Sequence, residues 1–251
     1  MAMALVWGTA KNNISNASSL GIKLCHQLFR TAGPAIQGSD NTVTLSTVIA
    51  KQAWEINRIF ISLGCSVLNE FGRTNFYLRQ DYFQSLLRSI VFQQLSGKSA
   101  KAIYERFVNL IPETSNLSPK EVLKLDKDEM RNTGLSFQKI DYIRNLANYF
   151  EDNSFQKKDV ERMTDEEISN ELTQIKGIGQ WTVDMFLMFT LNRADILPYT
   201  DLGIQKGFKI ILNMKNLPSK KKMETCSKKW RPYRTIACWY LWRTVDDAFA
   251  W

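Results

Sequence analysis

Apolar residues in this chain recur three and four positions apart, the interval that lines one side of an α-helix. Between residues 44 and 72, Trp54, Ile56, Ile59, Phe60 and Leu63 follow near-helical spacing, and a helix or helix pair is expected there. Asp81 can cap a helix whose Phe83, Leu86, Leu87, Ile90 and Val91 share a face. After a break over 94–97, Ala100, Ile103, Tyr104, Phe107 and Val108 repeat the pattern. Ser118-Pro119-Lys120-Glu121 reads as a capping box with proline at the first helical position. Ile140, Ile143, Leu146 and Ala147 form the stripe of a helix from about Phe137 to Phe150, and Thr164-Asp165-Glu166-Glu167 caps the next. Strand-type alternation is almost absent, so the predicted fold is all-α.

One stretch departs from plain helix. From Leu172 the pattern breaks at Lys176-Gly177-Ile178-Gly179, resumes as helix from about Gln180, stops at Leu197-Pro198, and presents Asp201 at the start of a third helix. Two glycines around one apolar residue, between amphipathic helices, suit a helix–hairpin–helix, because glycine permits the positive φ and close approach of such a turn. Main-chain N–H groups opening the second helix have no intrahelical partner and point toward any anion placed there. A DNA phosphate fits that requirement.

The 251 residues suffice for one large domain or two small ones. Residues 1–39 contain no Asp or Glu, with Lys11, Lys23 and Arg30 among Ser, Ala and Asn. Residues 1–40 are therefore expected to form an extension, poorly ordered or transit-like, ahead of a helical domain over 41–251 whose hairpin spans about 172–192. A formal charge of +8 favours a polyanionic partner. Cys25, Cys65, Cys226 and Cys238 form no CxxC pair and follow no secretory signal, which suggests reduced thiols in an intracellular protein. His26 is the single histidine, so zinc chemistry and a Ser-His-Asp triad are poorly supported. No apolar run approaches the roughly 20 residues of a membrane span, so no membrane partner is expected.

Four blocks carry a resemblance: Gln93-Gln94-Leu95-Ser96-x-Lys98-x-Ala100; Leu172-x-x-Ile175-Lys176-Gly177-Ile178-Gly179-x-Trp181-Thr182; Pro198-x-x-Asp201-Leu202-Gly203; and Trp230-Arg231-Pro232-Tyr233-Arg234 running on to Trp242. In this order they resemble the helix-hairpin-helix DNA glycosylases, and within them the 3-methyladenine DNA glycosylase II type of bacteria and fungi. The resemblance reaches from about residue 81 to residue 243. It implies two helical lobes with a base pocket between them. The cysteine spacing lacks the four-cysteine iron–sulfur loop of some relatives.

The resemblance makes Asp201 the catalytic carboxylate; by position alone it reads as an ordinary helix cap. Breaking an N-glycosidic bond develops positive charge on the deoxyribose, and a carboxylate fixed beside C1′ stabilises that state and can orient water. Relatives that also cut the strand carry a lysine at the hairpin position held here by Trp181. An indole forms no imine, so a monofunctional enzyme is implied. Trp181 and Trp242 would wall the base pocket, where electron-rich faces attract cationic N-alkylated purines; spacing alone would also suit core tryptophans.

Base release from duplex requires rotating the nucleotide out of the stack and filling the gap. The resemblance makes Gln93, Gln94, Leu95 and Ser96 the DNA wedge, with Gln94 as plug; an ordinary exposed helix end is the plainer reading. Gly177, Gly179 and Thr182 would contact phosphates, and the main-chain oxygens of Thr173, Ile175 and Ile178 would hold a structural monovalent cation. No cofactor is required for the chemistry. The basic run from Lys209 to Arg234, with Lys220-Lys221-Lys222, reads as a solvated loop able to add phosphate contacts; Arg231 and Arg234 are open to a structural role instead.

The expected function is hydrolysis of the N-glycosidic bond of alkylated purines (3-methyladenine, 7-methylguanine) in double-stranded DNA, initiating base excision repair. The alternative is an abasic-site or damaged-DNA binding protein of the same fold with weak or no base release. A monomer is expected, in the nucleus, with the mitochondrion as a second address.

Overall fold

The structure, a computed structural model, describes residues 81–112, 115–152, 155 and 159–245. The extension over 1–40, the helix expected within 44–72, the domain start at residue 41, and Cys25, Cys65 and His26 lie outside the described residues. All the described residues fall within one compact unit, and none of them is in a β-strand.

Helix α1 (Tyr82–Phe92) is the hub. Asp81 accepts the Gln84 amide at 2.9 Å, and Phe83, Leu86, Leu87, Ile90 and Val91 are all buried. Around α1 pack α2 (Gly97–Val108), α5 (Phe137–Asp152) and α7 (Gln180–Phe189). Two six-residue helices, α3 (Pro119–Lys124) and α4 (Lys127–Asn132), pack on α5. The Ser118 cap is one-sided: its hydroxyl accepts the Glu121 amide at 3.4 Å, while the Glu121 carboxylate accepts from Lys124 at 2.7 Å. Helix α6 (Asp165–Leu172) opens on the capping box expected at Thr164 and Glu167 and lies against α7.

A second group comprises α8 (Leu202–Ile211), α9 (Lys220–Ser227) with a 3₁₀ turn Lys228–Trp230, and α10 (Arg234–Arg243). Helix α8 packs on α10. Gly207 permits this approach, because a Cβ there would fall 2.8 Å from the Leu241 carbonyl oxygen.

Two elements differ from the sequence reading. Helix α7 ends at Phe189 rather than running on to Leu197. Asn192 adopts the left-handed conformation (φ 52°), and the Arg193 amide reaches back to the Leu187 carbonyl at 2.9 Å; together they end the helix as a C-terminal cap does. Ile196 and Leu197 are buried in the connection that follows. The lysine run is no loop: Ser219 accepts the Lys222 amide at 3.3 Å, and Met223 and Ser227 bury one face of α9.

Candidate active site at the hairpin

The turn between α6 and α7 carries Gly177 at φ 111°. A Cβ there would lie 2.2 Å from the Tyr142 ring, so only glycine fits. Gly179 is the N-cap of α7 and supplies no side-chain cap to its first amides. Both glycines lie at the turn leading into α7. Thr182, expected beside them at the phosphate, faces inward. It is 1% exposed, its amide donates to the Gly179 carbonyl at 2.9 Å, and its hydroxyl accepts from Gln93 Nε2 at 2.9 Å. The first turn of α7 points this side chain into the protein, away from any backbone outside.

Asp201 caps α8, its Oδ1 accepting the Ile204 amide at 2.7 Å. It does more than cap. Trp242 Nε1 donates to the same oxygen at 2.8 Å, and Trp181 Nε1 donates to Oδ2 at 2.7 Å. Three N–H groups from α7, α8 and α10 thus converge on one partly exposed carboxylate, and bonds to a charged acceptor are the strong kind. A carboxylate offers about four lone-pair directions. Both on Oδ1 are taken, and one on Oδ2 stays open to water or a sugar. The indoles therefore meet the site through their N–H edges, a duty the sequence reading, which gave them only pocket walls, did not foresee. Gly203 permits this crowding, since a Cβ there would lie 2.7 Å from Trp242 Cδ1 and 3.0 Å from Asp201 Oδ1.

The residues expected to form the wedge, in the connection between α1 and α2, divide. Gln94 takes the left-handed conformation (φ 57°), and Gln94 and Leu95 are exposed. Gln93 was grouped with them and turns inward, its Nε2 donating to the Gly177 carbonyl at 2.9 Å and to Thr182. Ser96, exposed like Gln94 and Leu95, is the N-cap of α2, accepting the Ser99 amide at 3.3 Å and bonding the Ser99 hydroxyl at 3.0 Å. Gln93 and Ser96 thus support the loop from which Gln94 and Leu95 project.

Three groups escaped the sequence reading. Lys139 on α5 donates to the carbonyls of Val91 and Gln93 at 2.6 and 2.7 Å, and burial pushes its ammonium down to about 8. Its place among the polar residues of α5 gave no signal. Asp184, 5% exposed, takes one bond, from Gln180 Nε2 to Oδ1 at 2.9 Å, and Oδ2 has no partner among the described residues. Burial pushes its pKa up to about 7; the Gln180 bond opposes the shift and the Asp201 charge adds to it. One acid inside the apolar run Val183-Asp184-Met185-Phe186-Leu187 was a visible signal. Asp195 is the third: Arg234 Nη2 reaches its Oδ2 at 3.0 Å and its carbonyl at 2.7 Å, and Arg231 lies 3.6 Å away. Arg234 is structural, tying the start of α10 to the loop after α7, whereas Arg231 is mostly exposed and makes only the longer ion pair. A cavity of about 360 Å³ lies beside them, lined in part by Gln180, Asp184, Asp195, Tyr199 and Arg234. Its lining includes neither indole.

A family model described as the HhH-GPD superfamily base excision DNA repair protein matches residues 87–232, taking in the wedge loop, the hairpin and Asp201. The chain belongs to this superfamily. It is 37% identical over 167 residues to the DNA-3-methyladenine glycosylase 1 of Schizosaccharomyces pombe, covering 66% of this chain and 73% of that one. It is 30% identical over 163 residues to the alkylbase DNA glycosidase-like protein mag2 of the same yeast, covering 64% and 76%. Its fold matches the Schizosaccharomyces pombe 3-methyladenine DNA glycosylase Mag1 in complex with abasic DNA, with a TM-score of 0.68, 33% identity, and coverage of 77% and 96%. The expected membership of the 3-methyladenine glycosylase group of the HhH-GPD superfamily therefore holds, as does the all-α fold.

Among the described residues no helix is long and apolar enough to cross a membrane, and no cluster of His, Cys, Asp and Glu could hold a metal. The hairpin oxygens are a different donor set. The Ile175 carbonyl accepts the Ile178 amide at 2.9 Å, which leaves it a second lone pair. Neutral main-chain oxygens at Thr173, Ile175 and Ile178 suit a hard cation of low charge.

Proposed function

We propose that this protein hydrolyses the N-glycosidic bond of alkylated purines, 3-methyladenine and 7-methylguanine, in double-stranded DNA. It leaves an intact abasic site and so begins base excision repair. The observation that carries the reading is the carboxylate of Asp201, held by three N–H donors with one lone-pair direction open on Oδ2. An alkylated purine is cationic, so cleavage of its C1′–N bond releases a neutral base and leaves positive charge on the sugar. Asp201 stabilises that charge; water adds to C1′, and its proton passes to Oδ2 or solvent. Trp181, at the hairpin, supplies no amine, so the reaction ends at hydrolysis. Gly177 and Gly179 bring amides to the phosphates, and Gln94, with Leu95 beside it, fills the gap left by the extruded base.

In this reading the main-chain oxygens of Thr173, Ile175 and Ile178 hold a structural monovalent cation that takes no part in the chemistry. Trp181, half-buried, borders the base as well as holding Asp201. Trp242, 5% exposed and packed on Phe189, holds the carboxylate from the interior rather than walling the pocket as expected. The protein acts as a monomer on DNA in the nucleus, with mitochondrial DNA as a second substrate pool; the nature of the substrate supports both addresses. Ser96, committed to capping α2, favours one rival: a binder of abasic or damaged sites that releases bases weakly or not at all.

Single-turnover release of 7-methylguanine separates the two. Wild type should release the base, and Asp201→Asn should lose release by about 10²-fold or more while still binding abasic duplex. Tight abasic-site binding with no release by either protein would establish the rival.

A further inference from the structure

Two DNA-facing parts of this site, the wedge loop and the hairpin, are far apart in sequence, and one helix face touches both. Lys139, Tyr142 and Asn145 follow one another at intervals of three on α5 and so share a side. Lys139 donates to the carbonyls of Val91 and Gln93 at 2.6 and 2.7 Å, at the end of α1 from which Gln94 projects. Tyr142 fills the space that a side chain at Gly177 would need. Asn145 Nδ2 reaches the Lys176 carbonyl at 3.2 Å. The circuit closes through Gln93, whose one amide nitrogen bonds the Gly177 carbonyl and the Thr182 hydroxyl, each at 2.9 Å.

We propose that Lys139 and Gln93 are positioning residues that lock the wedge loop to the hairpin, so that plug insertion and phosphate anchoring occur in one fixed register. This rests on the wedge role given to Gln94 above. The ammonium also suits its place, because the last carbonyls of a helix favour a positive charge. Neither residue touches the base or the sugar in this scheme. Each acts by fixing where the Gln94 side chain stands relative to the clamped backbone. A displacement of about 1 Å at a positioned group can cost on the order of 10²-fold in rate.

The test compares the release of one 7-methylguanine from paired duplex and from the same strand left unpaired, where no gap needs filling. Lys139→Met keeps the apolar stem and removes the donors. Gln93→Glu keeps the size and cannot donate to the Gly177 carbonyl. Each should slow duplex release about 10- to 100-fold, with release from the unpaired strand and affinity for undamaged duplex close to wild type. Lys139→Arg, which restores donors and charge, should recover most of the duplex rate, and far-ultraviolet circular dichroism confirms that each variant is folded. Equal losses on paired and unpaired strands would mean a general structural role and overturn the proposal, as would unchanged rates on both. Gln94→Ala, run alongside, separates the two levels. If it alone loses duplex release, the wedge stands and the lock fails; if it keeps duplex release, the wedge role itself fails and the lock with it.

Discussion

Replacing Asp184 by Asn should remove one component of the pH dependence of stability, the loss between about pH 4 and 7. The carboxyl is 5% exposed, and burial lifts its pKa from 3.8 to about 7. Between those values the folded protein keeps a proton that the unfolded chain has lost. Stability therefore falls as pH rises from 4 to 7, and the loss is complete above the folded pKa. A shift of about three units at ~1.4 kcal/mol each makes that loss at most about 4 kcal/mol. Asparagine stays neutral and can still accept from Gln180, although its amide nitrogen meets the unpartnered space at Oδ2, costing about 1–3 kcal/mol. At pH 4 the variant should thus be the less stable protein; at pH 8 it should match or exceed wild type. Urea denaturation at half-unit steps from pH 4 to pH 8, with midpoint and slope fitted separately, measures the difference. Two stability curves that stay parallel across this range would show that Asp184 ionises as an exposed aspartate does, and the reasoning from burial would fail.

Two glycine substitutions probe the site more directly. Gly203→Ala drives a methyl to within 2.7 Å of Trp242 and 3.0 Å of Asp201 Oδ1; single-turnover base release should fall about 10²-fold, and melting should show an overpacking cost of only about 1–3 kcal/mol. Gly177→Ala combines a disfavoured φ of 111° with a clash against Tyr142. A lower melting temperature and weaker binding of undamaged duplex in a filter assay should appear together, whereas unchanged duplex affinity would remove Gly177 from the phosphate contact.

Helices α1 and α6 were legible because each joins an apolar face to an explicit cap, Asp81 and Thr164. Helix α4 was not, because Met130 is its one buried residue and six residues hold too few turns to show a period. The lysine run concealed α9, whose cap is Ser219 and whose burial rests on Met223 and Ser227. At the site, the resemblance carried by the four sequence blocks pointed to Asp201, Trp181 and Trp242, whereas position alone read as a helix cap and two core tryptophans. Which edge of an indole meets which carboxylate oxygen depends on the packing of α8 against α10, and no local pattern encodes that. For the same reason Gln93 and Gln94, identical neighbours in the sequence, face opposite ways: the inward one is chosen by acceptors more than 80 residues downstream.

The left-handed backbone of Gln94 (φ 57°) restricts what a variant library at that position can contain. Valine, isoleucine and threonine crowd their own main chain in this conformation, whereas asparagine and glycine adopt it readily. Replacements should therefore divide by branching at Cβ before they divide by polarity. A leucine or methionine could stand at the tip without rebuilding the loop, and a threonine, although smaller than either, could not.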